Sequence, residues 1–174
     1  VILIATVFTP AHKQAMAAIN VPVVVLGQEL PGHSCVFQDD YHAVYDLTQQ
    51  VLRTSRQPAF IGVLENDISA GKMRHKGFLD ACHDASVEPA PGATLIGDFS
   101  VDAGYSCTEQ LFDTVPGVDA IICATDIIAF GAITYLREFG HPVPEEVQVT
   151  GLGDSVLSSI SFPSLTTVHH FYET

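Results

Sequence analysis

Residues 119–132 read Asp-Ala-Ile-Ile-Cys-Ala-Thr-Asp-Ile-Ile-Ala-Phe-Gly-Ala. The segment 119–124 is a short apolar run without polar alternation, the pattern of a strand covered on both faces. Thr125 and Asp126 are residues that open helices, and the amphipathic stretch from Asp126 to about Phe139 stops at Gly140. The same unit recurs on both sides. Apolar runs at Val1–Val7, Val21–Leu26, Ser34–Gln38, Ala59–Leu64, Thr94–Ile96, Val147–Gly151 and Leu165–His169 alternate with helical stretches. Those stretches are Pro10–Ile19, one capped by Asp39 or Asp40, Ser69 to about Ser86, Val101–Thr114, and a short piece from Asp154 to Ile160. Strands alternating with helices at this spacing predict right-handed βαβ units: an α/β fold with a doubly wound parallel sheet.

Composition narrows the function. The chain has 174 residues, 47% of them hydrophobic, and seven Lys+Arg against twenty Asp+Glu give a formal charge of −13. That is enough for a sizeable core, and the abundance of Phe, Tyr and aliphatic residues excludes a disordered chain. So acidic a piece repels phosphate backbones and anionic lipid, so neither DNA nor membrane is expected to be its own partner. Cys35, Cys82, Cys107 and Cys123 show neither a CxxC pair nor zinc-type spacing. Cys35 and Cys123 lie in apolar surroundings and read as buried free thiols of a reducing, cytoplasmic compartment. Neither a membrane-length apolar run nor a signal peptide is visible, and the strand at residue 1 reads as a cut from something longer.

Ligands of open parallel sheets bind beyond the carboxyl ends of the strands. There the sequence places Ser69, Lys72 and Arg74 after one strand and Phe99 after the next. Thr125 with Asp126, and Asp154, follow two others. Carboxylates, hydroxyls, a guanidinium and one aromatic ring together suit a polyhydroxylated ligand. Each has a second reading: Asp126 and Asp154 also stand where helix caps stand, Phe99 could fill core, and Arg74 could pair with a nearby carboxylate. A GxGxxG, a GxxxxGK[ST], a GxSxG and an HExxH are all missing, and Gly151-Leu152-Gly153 lacks its third glycine. The expectation is a binding protein rather than an enzyme, with no catalytic residues, metal or cofactor.

Five stretches form a familiar series: 21–27 (VPVVVLG), 69–78 (SAGKMRHKGF), 119–132, 140–149 (GHPVPEEVQV) and 163–168 (PSLTTV). In order and spacing the chain resembles the sugar-sensing core of LacI/GalR-type transcriptional repressors, similar in turn to periplasmic sugar-binding proteins. The resemblance implies two Rossmann-like α/β lobes with a sugar between them. It makes 1–26 the end of the N-terminal lobe, 27–163 the C-terminal lobe, and 164–174 a crossover back, with 171–174 starting a helix. A DNA-binding helix-turn-helix would lie in sequence outside this chain, and homodimer contacts would come from the helices at 126–139 and 154–160, through Ile127, Phe130 and Ile160. Arg74 matches the family's sugar-hydroxyl arginine and Phe99 its stacking aromatic. Thr125-Asp126 replaces the usual Asn-Asp, and Gly153-Asp154 the usual Asp-Asp, so two customary sugar-binding side chains are shortened or lost.

Residues 71–75 and 123–126, with the Asp39-Asp40 pair, are most similar to the trehalose-operon repressor branch. That implies trehalose 6-phosphate as effector, with Lys72 available for its anion. The alternative is a periplasmic sugar-binding transport receptor on the same fold.

Overall fold

The computed structural model describes residues 1–4 and 7–170. Their elements are β1 (Ile2–Ile4), α1 (Pro10–Ala17), β2 (Val24–Leu26), β3 (Ser34–Val36), α2 (Asp40–Val51), β4 (Pro58–Val63), a π-helical turn (Ile68–Met73) running into α3 (Arg74–Asp84), β5 (Thr94–Gly97), α4 (Val101–Thr114), β6 (Ala120–Cys123), α5 (Asp126–Glu138), β7 (Gln148–Leu152), α6 (Val156–Ile160) and β8 (Thr166–Val168). Every strand pair is parallel, in two sheets ordered β1-β2-β3 and β5-β4-β6-β7-β8. This is the expected α/β architecture with doubly wound parallel strands.

The larger sheet carries the core. β4 and β6 are buried along their whole length, because α2 and α3 pack against each other on one side and α4 and α5 on the other. Phe60, Phe78, Ile121, Ile122, Ile128 and Leu136 fill the space between sheet and helices. α4 and α5 lie close because two glycines face each other's backbone. A Cβ on Gly104 would collide with the Ile128 carbonyl oxygen, and one on Gly131 with that of Val101. Among the described residues the smaller sheet has a modest cluster of Met16, Val25 and Leu30, with Leu3, Phe8, Val23 and Cys35 packed against it.

Two boundaries differ from the sequence expectation. β3 pairs with β2, Val24 against Ser34 through Leu26 against Val36, so the smaller sheet runs on to residue 36 instead of ending at 26. Three-residue strands span only about 10 Å, so the loop 27–33 can return the chain to the starting edge without a helix. Cys35 Sγ holds that loop, accepting the Leu30 N–H at 3.2 Å. At the other end, β8 hydrogen-bonds to β7 as the last strand of the larger sheet, so residues 166–168 extend that lobe. The helix expected at 171–174, and residues 5 and 6 of the expected first strand, lie outside the described residues.

Cys82, Cys107 and Cys123 are buried and Cys35 is half-buried, all free. Among the described residues no helix is long and apolar enough to cross a membrane, and no group of His, Cys, Asp and Glu is arranged to hold a metal.

Candidate functional site

The turn after β4 builds the site. Asp67, rather than the expected Ser69, opens the helical segment: its Oδ1 accepts the Ala70 N–H at 2.9 Å. The following π-turn fits against the strand end only because residue 71 is glycine, whose Cβ would otherwise meet the Leu64 carbonyl. That packing delivers Arg74 to the start of α3 with a buried side chain.

A guanidinium out of water needs partners. Arg74 donates from Nε to Asp40 Oδ1 at 2.8 Å and from Nη1 to the Ala124 carbonyl at 2.5 Å, and its Nη2 completes an ion pair with the same Asp40 oxygen at 2.6 Å. Asp40 is free for this because Asp39 does the capping of α2, accepting the His42 N–H at 3.0 Å. Hydrogen bonds from that backbone N–H and from the His42 ring hold the Asp39 carboxyl below its usual range. Arg74 therefore ties α2, α3 and the end of β6 together. Arg74 also lines the cleft between the two sheets, which makes any N–H group not turned to Asp40 or Ala124 a candidate donor there.

β6 leads into α5 through Thr125, whose Oγ1 accepts the Ile128 N–H at 3.4 Å. Thr125 is thus the cap, and Asp126 has another task. Buried, its Oδ2 accepts the Ser155 N–H at 2.7 Å and its Oδ1 the Thr167 hydroxyl at 2.5 Å, fixing the ends of β7 and β8.

A cleft of about 960 Å³ opens between the carboxyl edges of the two sheets. Four of the expected residues share its lining: Arg74, Phe99, Thr125 and Ser69. Phe99 is 52% exposed, so its ring is offered to the cleft and not spent on the core. The Ser69 hydroxyl donates to the Gly27 carbonyl at 2.8 Å, joining the two lobes at the cleft floor.

Three expected residues do not line it. Lys72 projects into solvent on the π-turn. Asp126 is occupied as described, and Asp154 faces outward, 2.7 Å from His169 Nδ1 and accepting the Ser158 hydroxyl at 3.0 Å. Asp154 also holds a positive φ of 47°, a left-handed conformation that Asp tolerates better than most residues.

The structure adds Phe37, Gln28, Asp40, Asp67 and His170 to the walls. Phe37 is 49% exposed, so two half-exposed rings, one from each side, face the same space. It directly follows β3, at the rim where ligands bind, and that position was its signal in the sequence. His170 is half-buried, and burial followed by the nearby Arg74 charge pushes its pKa below the ordinary 6.5. With that imidazole neutral, the walls carry, among the described residues, one guanidinium against the carboxylates of Asp40 and Asp67.

Residues 53–174 match the family model of the periplasmic binding protein-like domain. The chain belongs to that family. Its relatives place it among the LacI-type transcriptional regulators, as their effector-binding domain. It is 31% identical over 166 residues, 95% of this chain and 50% of the relative, to the HTH-type transcriptional regulator TreR of Salmonella typhimurium. It is 28% identical over 174 residues, 99% of this chain and 53% of the relative, to the sucrose operon repressor of Staphylococcus xylosus. Among solved structures, a complex of the transcriptional regulator CelR with cellobiose superposes with a TM-score of 0.88 at 30% identity, covering 97% of this chain and 53% of that one. The chain thus spans about half the length of the curated relatives it matches. Identities this close to one another single out no branch, so the LacI-type assignment stands and the trehalose branch is one of several similar ones.

Proposed function

We propose that this LacI-type effector domain binds a neutral saccharide in the cleft between its sheets and acts as the sensing core of a repressor of carbohydrate use. The observation that carries this is the meeting of Arg74 and Phe99 on one cleft: a fixed donor for sugar hydroxyls beside an exposed ring for the apolar C–H face. Relatives named for sucrose operon repression and for a complex with cellobiose support the same ligand class. The charge of the walls favours neutrality. Two carboxylates against one guanidinium offer a phosphate ester no net attraction, and Lys72, the expected anion partner, stands outside.

In this reading the sugar touches both lobes and favours one closure angle. It shifts the equilibrium only by its difference in affinity between open and closed states. Operator binding belongs to a helix-turn-helix of the complete gene product. Dimer contacts come from α5 and α6, where Ile127, Val156, Ile160 and the following Phe162 are exposed at 39%, 81%, 70% and 93%. Phe130, expected among them, packs partly on the core.

Trehalose 6-phosphate is the second reading, supported by the 31% identity to TreR. Calorimetric titration of the complete gene product with cellobiose, trehalose, sucrose and trehalose 6-phosphate tests both. Binding of a neutral disaccharide with the phosphate ester weaker or silent is expected; preference for the phosphate ester overturns the neutral assignment.

A further inference from the structure

His170 stands where two cavities meet. Behind the main cleft lies a vestibule of about 380 Å³, and the two share Phe37, Gln38, Asp40 and His170 as their common wall. The residue lies two positions beyond β8, on the segment that leaves the larger sheet, so it reaches the cleft from the hinge side and not from a strand-end loop. It is also the titratable residue in the cleft lining whose charge changes closest to neutral pH.

We infer that the neutral imidazole of His170 contacts the bound saccharide, so that affinity falls on acidification. This rests on the saccharide reading above. A neutral imidazole can exchange a hydrogen bond with a sugar hydroxyl. An imidazolium presents donors alone and puts a second cation beside Arg74.

The surrounding charges can be named. Arg74 on α3 and His169 on the same segment oppose protonation; Asp40 on α2 and Asp126 on α5 favour it. Asp39, His42 and Asp46 of the α2 region line the vestibule behind. Burial and Arg74 lead the balance and already favour the neutral ring. A neutral sugar over the ring removes its remaining water and favours that form further. Protons must then leave for the sugar to bind, and binding weakens as pH falls through the free-state pKa. A phosphate ester gives the opposite sign, because its charge stabilises the imidazolium.

The test is titration of the complete gene product with cellobiose and trehalose at about pH 7.5 and about pH 5, using wild type and His170→Gln, whose amide keeps a donor and an acceptor but does not titrate. Wild type is expected to lose roughly two- to fivefold in affinity at the lower pH by proton linkage. Whatever its affinity at neutral pH, His170→Gln is expected to lose that pH dependence, because its amide does not titrate. An unchanged slope in His170→Gln overturns the inference while leaving the saccharide reading intact. Binding of neither sugar at either pH overturns both. Should His170→Gln not fold, the wild-type His170 ring resonance followed by NMR decides: its titration midpoint falls on saturation with sugar, and an unmoved or raised midpoint contradicts the assignment.

Discussion

Arg74 and Asp40 form a buried ion pair in which Nε and Nη2 share one carboxylate oxygen, at 2.8 and 2.6 Å, while Nη1 reaches the carbonyl of Ala124 at 2.5 Å. The pair spans the place where the larger sheet reverses its winding, since β4 leads to one side of the sheet and β6 to the other. The same contact that ties α2, α3 and β6 together holds the guanidinium at the cleft, where the proposed function needs it.

Removing one partner strands the other charge. Asp40→Ala is expected to cost about 3–5 kcal/mol in urea unfolding, whereas Asp40→Leu combined with Arg74→Met should cost clearly less. The double variant should nevertheless fail to bind saccharide, and wild-type affinity in it would remove Arg74 from the site.

Phe99 separates binding from stability. Half-exposed, its truncation to alanine should leave the unfolding free energy within about 1 kcal/mol of wild type. Saccharide affinity should fall by about 0.5–1.5 kcal/mol, the worth of a ring packed on an apolar face. Loss of stability without loss of affinity would return Phe99 to the core.

The close approach of α4 and α5 depends on Gly104 and Gly131. Alanine at either raises helix propensity by about 1 kcal/mol. It also forces a methyl group into backbone of the facing helix, and a net loss of about 1–3 kcal/mol is expected in denaturant titration. A neutral or stabilising result would show the helices free to slide apart.

Thiol chemistry reads the same core. Burial pushes the Cys82 thiol up to about 12, and raises those of Cys123 and Cys107 as well. Thiolate is the reactive form, so at about pH 8 a thiol reagent should label half-buried Cys35 quickly and the other three only in denaturant. Rapid native labelling of Cys82 or Cys123 would contradict the packing around β6 and α3.

The alternation of strands and helices was legible because burial on both faces writes an unbroken apolar run, as in Ala120–Cys123 and Pro58–Val63. Which sheet a strand joins is not written there. Ser34–Val36 reads alike whether it pairs with β2 or opens the larger lobe, and backbone hydrogen bonds decided it. Candidate residues were legible by type and position, and their orientation was not. Asp126 follows a strand exactly as a ligand residue would, yet turns to Ser155 and Thr167. Asp67 and Ser69 are both acceptable caps, and local geometry chose Asp67. His170 carried no local signal, because its place in the wall comes from the long-range return of the chain beside β7.

A crystal structure of the complete gene product with a bound neutral disaccharide tests the central claim most directly. The account predicts the sugar between the sheets, a hydroxyl within hydrogen-bonding distance of the Arg74 guanidinium and a pyranose face on the Phe99 ring. A sugar seated elsewhere, with the Arg74–Asp40 pair and Phe99 facing empty solvent, would contradict it.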